Sequence, residues 1–145
     1  MRKVRRFLEL SASEKALFVT LLFGFPLVRA GLRLLGLRRL QALFGGGVPE
    51  KGEAVDAAAD LEEAERLNYV LQAVVANGFL SPTCLERSLV LIWLLKRKGI
   101  EGDLHIGVRP SDDGVDAHAW VEYGGAVIND SDCVRENYAA FHNPV

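Results

Sequence analysis

The chain has 145 residues, half of them hydrophobic and a quarter charged; this balance supports one folded domain with a real core and excludes disorder throughout. Two cysteines are too few for a disulfide scaffold, no C-x-x-C pair offers a zinc site, and a formal charge of −2 argues against a dedicated nucleic-acid binder. Residues 1–44 carry nine basic and two acidic side chains, the remainder eight and seventeen, so front and body can attract each other or present two differently charged surfaces.

The start, Met1 to Arg6, is basic like a signal peptide. The uncharged run that follows, Ala16 to Val28, has thirteen residues, short of the ~17–25 that span a bilayer. No small-residue cleavage site follows it. The run reads as a buried helix in a cytoplasmic protein, with peripheral membrane contact as the alternative. Ser11 and Glu14 have capping-box spacing, so a helix is expected from about residue 12. It should end or kink at Gly24-Phe25-Pro26. A second, cationic amphipathic helix is expected from about Leu27 to Phe44. Gly45-Gly46-Gly47-Val48-Pro49 breaks the chain. The expected organisation is therefore an N-terminal helical segment over 1–48 and a core over 49–145, forming one compact unit.

Residues 50–60 are acidic and alanine-rich and enter a helix over about Ala57–Ala76. That helix aligns Leu61, Ala64, Leu67 or Asn68, Leu71 and Val74 near one face, and Asn77-Gly78 stops it. Ser81 is read as the N-cap of the next helix, with Pro82 in its first turn. Leu85, Leu89 and Ile92 give it an apolar stripe, and Gly99 suits its C-terminal end. Beyond Gly102 the hydrophobic period falls to two. Strands are expected over about 104–109, 117–123 and 126–130, with a polar turn from Pro110 to Asp116 and a glycine turn at Gly124-Gly125. Helices followed by a small antiparallel sheet make an α+β fold.

Cys84, His118 and Asp130 stand out together. The first turn of a helix favours anions, so it favours a thiolate at Cys84, and its N–H groups can supply part of an oxyanion hole. An imidazole on a strand passing this end can activate the sulfur and later protonate a leaving amine. An acid on the neighbouring strand would hold that imidazole in one tautomer. A strict two-residue hairpin at Gly124-Gly125 pairs positions that sum to 249, which sets His118 opposite Ser131. Bringing Asp130 opposite His118 needs a sum of 248, and so an odd loop or a bulge. Asp132 is the reserve acid. Each residue also has an ordinary reading: Cys84 as a small core residue, His118 as a satisfied core histidine, Asp130 as a turn cap. Arg87, on the Cys84 face, suits a structural ion pair better than substrate binding. His105 faces away from the Leu104/Ile106/Val108 stripe, and Cys133 and His142 have no evident chemical partner.

The words Cys84-Leu85-Glu86-Arg87-Ser88-Leu89, Ile106-Gly107-Val108 and Ala117-His118-Ala119-Trp120-Val121-Glu122 resemble the B protein of lasso-peptide biosynthesis, a branch of the transglutaminase-like cysteine proteases. The stronger part of the match spans about residues 67–132, and the leucine-rich stretch from Ser13 to Phe44 is similar less specifically. The resemblance implies a transglutaminase/papain-like core and a leader peptidase. Such an enzyme frees the N-terminal amine of a ribosomally made core peptide and hands it to a cyclase. By the same resemblance Cys84 is the nucleophile, His118 base then acid, and Asp130 the orienting acid. No metal or other cofactor is expected, and any nucleoside-triphosphate need falls to the cyclase. Only about eighty residues precede Cys84 and they read as helices, so the chain resembles the protease half of a split system. It would work with a precursor peptide and a separate leader-recognition protein that docks on the basic front or the leucine-rich helices. Two other readings are a transglutaminase-like acyl transferase and a non-catalytic peptide-binding module of the same complex.

Overall fold

The computed structural model describes residues 12–45, 56–77, 81–112 and 114–140. The elements run α1 (Ala12–Gly45), α2 (Ala57–Asn77), α3 (Cys84–Arg97), β1 (Asp103–Ser111), β2 (Gly114–Tyr123), β3 (Ala126–Val127), α4 (Val134–Asn137) and β4 (Ala139–Ala140). The strands form one antiparallel sheet in the order β3-β2-β1-β4. The fold is α+β, as the change of period after Gly102 predicts.

The expected break at Gly24-Phe25-Pro26 does not occur: α1 runs through Pro26 and interrupts its helical geometry at Gly36 instead (φ 77°, ψ 168°). A proline inside a helix costs about 3 kcal/mol. Phe25 and Val28, on either side, are 3% and 5% exposed, and burying two such side chains returns about 1.5–3 kcal/mol each. At Gly36 the chain folds back. A Cβ built on Gly31 would lie 2.7 Å from Leu40 Cδ1, whereas nine residues of straight helix would separate them by about 13 Å. The run Ala16–Val28 is buried on one side only. Leu21, Phe25 and Val28 enter the core, and Val19, Leu22, Phe23 and Leu27 remain exposed. By length and composition alone, Lys15–Phe44 is apolar enough to cross a membrane.

α3 is the centre of the molecule. Leu89, Val90, Leu91, Leu94 and Leu95 are buried around its circumference, in one core with Leu21, Phe25, Val28 and Leu40 of α1 and Ala64, Leu67, Leu71 and Val74 of α2. A helix apolar all round must be enclosed; here helices cover one side and the sheet the other. Its end is a Schellman motif. Gly99 takes φ 77°, Ile100 N–H bonds Leu95 C=O and Gly99 N–H bonds Lys96 C=O, which satisfies orphan carbonyls before the turn into β1. Glu63 of α2 grips this end, taking a fork from Arg66 (2.8 and 2.9 Å) and Lys98 Nζ (3.2 Å).

The hairpin β1–β2 is longer than expected. Residues foreseen as a polar turn pair instead, Pro110 with Val115 and Arg109 with Asp116, and an Arg109–Asp116 ion pair at 2.8 Å closes the rung. The third strand is shorter, ending at Val127 rather than near Asp130. α4 and β4 are additions; β4 pairs Ala140 with Gly107 and Ala139 with Val108.

Two outcomes follow for stability. Gly36→Ala forces a side chain into a backbone region that essentially only glycine occupies, and urea unfolding should show a loss of about 1–3 kcal/mol. The Arg66 fork, with burial opposing and Lys98 helping, holds the Glu63 carboxyl at about 2 rather than 4.5. A lowered carboxylate stabilises above its unfolded value and loses that contribution as pH falls through the folded one. Unfolding of the wild type between pH 4.5 and 2 should therefore steepen relative to Glu63→Gln, by up to about 1 kcal/mol for partners this exposed.

Candidate active site

Cys84 is the first residue of α3, and the cap differs from the expected one. Thr83, not Ser81, is the N-cap: its Oγ1 accepts from Glu86 N–H at 3.2 Å, and Glu86 Oε2 accepts from Thr83 N–H at 2.9 Å. This reciprocal box satisfies two orphan donors, and its signature, Thr83-x-x-Glu86, was present in the sequence. It also fixes the turn that holds the thiol. Glu86 is 5% exposed and is gripped from α1 by Arg29, Nε to Oε1 at 2.6 Å and Nη2 to Oε2 at 2.9 Å. Arg29 Nη2 also reaches Ser81 C=O at 3.4 Å. The Arg29 hydrogen bond, against burial and with help from Thr83 N–H, holds the Glu86 carboxyl below its ordinary value.

The glycine turn is strict. Tyr123 pairs with Ala126 and Glu122 with Val127, and both Gly124 (φ 56°) and Gly125 (φ 85°) have positive φ, as a two-residue primed hairpin requires. The index sum is 249, so the expected odd loop or bulge is absent. His118 and Asp130 nevertheless meet, with Nε2 and Oδ2 2.5 Å apart. The ladder is broken in another way. Ile128 N–H still bonds Val121 C=O at 2.9 Å, but the reciprocal bond is missing. Val121 N–H donates to Asn129 Oδ1 (2.8 Å), and Ile128 C=O accepts from Asn68 Nδ2 of α2 (2.8 Å). A side-chain amide thus replaces a backbone carbonyl, and the chain leaves the sheet at the position that carries Asp130 across to His118.

The same Asn129 donates through Nδ2 to Ser88 Oγ at 3.0 Å, and the Ser88 hydroxyl donates to Ala119 C=O at 3.0 Å. Ser88 is fully buried and lies one helical turn beyond Cys84. Leu95 and Val121 meet at Gly102, while Ser88 lies against Ala119. Stepping back along α3 therefore steps back along β2, and carries the Cys84 end towards the level of His118. β3 has ended by that level, so the edge of β2 there lacks a strand partner. Among the described residues no hydrogen bond joins the Cys84 thiol to His118 or Asp130. Asp130 takes His118 Nε2, and Nδ1 is the nitrogen left over.

His118 is held by aromatic rings. It stacks on Tyr138 (centroids 5.0 Å apart) and Trp120 (6.3 Å). Tyr138 O–H donates to Asp116 Oδ2 at 2.9 Å, and Trp120 N–H to Glu122 Oε1 at 2.8 Å. Gly107, opposite His118 on β1, makes room for them: a Cβ there would lie 2.9 Å from Tyr138 Cβ and 3.0 Å from the Trp120 ring. Burial works against ionisation of Asp130, yet the His118 hydrogen bond and Ser131 N–H hold its carboxyl below the ordinary range.

Asp132 is exposed, and Asp130 is the acid on His118. Cys133 is exposed, its Sγ 3.5 Å from Ser131 Oγ. His105 stacks on Trp120 at 5.6 Å and pairs with Glu122 at 3.7 Å. The ion pair expected for Arg87 does not form among the described residues, and its buried Nε has no hydrogen-bond partner. His142 lies outside the described residues. Beside Pro82 a groove of about 390 Å³ runs along α1, floored by Phe25, Pro26 and Ala30 and edged by Arg29 and Arg33. Asn129, Ser88, Gly107 and Tyr138 shape the site without having been singled out. Gly107 lay in a word that carried the resemblance, whereas nothing near Tyr138 marked it.

A family model described as the transglutaminase-like superfamily matches residues 27–143. No curated protein and no solved structure matches.

Replacing Asn129 with Ala removes the acceptor of Val121 N–H and the donor to Ser88, both at buried positions. Denaturant unfolding should show a loss of about 1–3 kcal/mol. A loss below about 0.5 kcal/mol would mean that water replaces the amide.

Proposed function

The chain belongs to the transglutaminase-like superfamily, and we propose from that premise that it is a cysteine peptidase removing the leader of a lasso-peptide precursor. The observation that carries the chemistry is the His118–Asp130 pair at 2.5 Å, on the side of β2 that β3 no longer covers; Cys84, the first residue of α3, is the nucleophile in this reading. With Nε2 on Asp130, Nδ1 is the nitrogen that can take the thiol proton. The capping network assigns the nearby backbone donors. Glu86 N–H serves Thr83 Oγ1 and Arg87 N–H serves Thr83 C=O, so among the described residues the N–H groups of Cys84 and Leu85 are those left to meet a developing oxyanion.

In this reading the Cys84 thiolate attacks the scissile carbonyl, and the oxyanion lies against the first turn of α3. His118 then protonates the departing amine, which becomes the N-terminus of the core peptide. Water, deprotonated by His118, resolves the thioester and releases the leader acid. Asp130 stabilises the imidazolium at each stage. The partners in this proposal are the precursor peptide, a separate leader-recognition protein and a cyclase, in the cytoplasm. Exposed Phe23, Leu27 and Leu34 beside Arg29 and Arg33 support α1 as the docking face for the recognition protein.

The test is mass spectrometry of a leader–core peptide incubated with the chain and the recognition protein. Cys84→Ala should abolish cleavage with the fold intact by circular dichroism. His118→Ala and Asp130→Asn should slow it by about 10²–10⁴-fold. Products carrying an added amine in place of a free acid would assign acyl transfer instead. A Cys84→Ala chain that cleaves at the wild-type rate would end the reading.

A further inference from the structure

The cap of α3 contains an acid in the same turn as the reactive sulfur. Glu86 is needed there, because its carboxylate closes the box on Thr83 N–H. A buried carboxylate at that place also opposes a second negative charge nearby, and a thiolate at Cys84 is such a charge. Arg29 answers both points. Its fork occupies both oxygens of Glu86, at 2.6 and 2.9 Å, and its Nη2 reaches Ser81 C=O in the segment leading to the thiol. The clamp comes from α1, fifty-seven residues away in sequence, where Phe25 and Val28, buried on either side of Pro26, fix the helix that carries it.

We propose that Arg29 is a positioning residue for Cys84: it neutralises Glu86 and locks the first turn of α3, which makes α1 a working part of the reactive centre. The inference rests on the reading of Cys84 as a thiolate nucleophile. The charged groups shown at this end of α3 are Arg29 and Arg33 from α1 and Glu86 and Arg87 on α3 itself; in the proposed reading the His118–Asp130 pair faces it from β2 and the segment after β3. Within that set Arg29 and Glu86 form a closed pair, and breaking it from either side changes the local charge in opposite directions. A merely structural clamp has no such sign.

The experiment needs no peptide substrate. In a Cys133→Ser background, which leaves Cys84 as the single thiol, iodoacetamide labelling is followed by mass spectrometry between pH 5 and 9, with circular dichroism to confirm folding. Arg29→Gln strands a negative charge beside the sulfur, and labelling at pH 7 should slow by about three- to tenfold. Glu86→Gln keeps the capping box, which glutamine closes as well, and strands the cation; labelling should quicken by about two- to fivefold. The double variant should return to within about twofold of the parent, and Arg29→Lys should recover part of the Arg29→Gln loss. A folded Arg29→Gln chain labelled at the parent rate overturns the proposal, as does a Glu86→Gln chain that slows. Should Arg29→Gln fail to fold, the direction of the Glu86→Gln change decides. If this pattern holds while no leader peptide is cut, the peptidase reading fails and the positioning role stands.

Discussion

The arrangement depends most on one exchange of hydrogen-bond partners at the end of β3. Val121 N–H would ordinarily meet the carbonyl of Ile128. It meets the Asn129 side chain instead, and the Ile128 carbonyl turns to Asn68. Backbone groups in a sheet cannot be left unpaired without cost, so a strand can stop early only where other groups take over its bonds. Here two side-chain amides do so, and the other end of Asn129 is anchored on Ser88 inside α3. A single side chain therefore links the sheet edge, the central helix and the acid that follows it. The register stays that of a tight hairpin while Asp130 reaches an imidazole that the register alone would deny it.

The helix start is built on the same economy. Thr83 and Glu86 satisfy each other's backbone donors, and Arg29 offsets the charge this puts in the interior. The capping box holds the geometry of the first turn, and among the described residues the N–H groups of Cys84 and Leu85 have no backbone or side-chain acceptor. The imidazole has a matching support, since the absence of a Cβ at Gly107 lets Trp120 and Tyr138 close over the sheet beside His118. The helix start that carries Cys84 and the strand that carries His118 are thus each braced by neighbouring side chains.

The excess of positive charge at the front and of negative charge in the body acquires a concrete form in the Arg29–Glu86 pair, where one guanidinium from α1 meets a carboxylate of α3. The rest of α1 keeps an apolar, cationic face outward. One helix thus serves the core on one side and leaves an apolar, cationic face exposed on the other.

Much of this was written locally. The period of two after Gly102, the helical stripe over Ala57–Ala76, the proline at 82 and the glycine that ends α3 are short-range signals, and they sufficed for the α+β class and for placing Cys84 at a helix start, whereas the choice of His118 and Asp130 rests on their chemistry and the resemblance, against a strict register that sets His118 opposite Ser131. They failed where a distant contact outweighed a local preference. Pro26 remains helical because Phe25 and Val28 are held in the core, and the turn passes to Gly36, where Leu40 folds back on Gly31. Ser81 has the composition of a cap, yet Thr83 is the residue whose partner, Glu86, is also gripped from α1. The bonds that assemble the site join residues eight to sixty positions apart, and no local spacing rule sets them. The sequence by itself determined which chemical groups were available and on which kind of element each would sit. Only the packed chain decided how Asp130 meets His118 without a bulge, because that depended on which buried donors and acceptors were left to be satisfied.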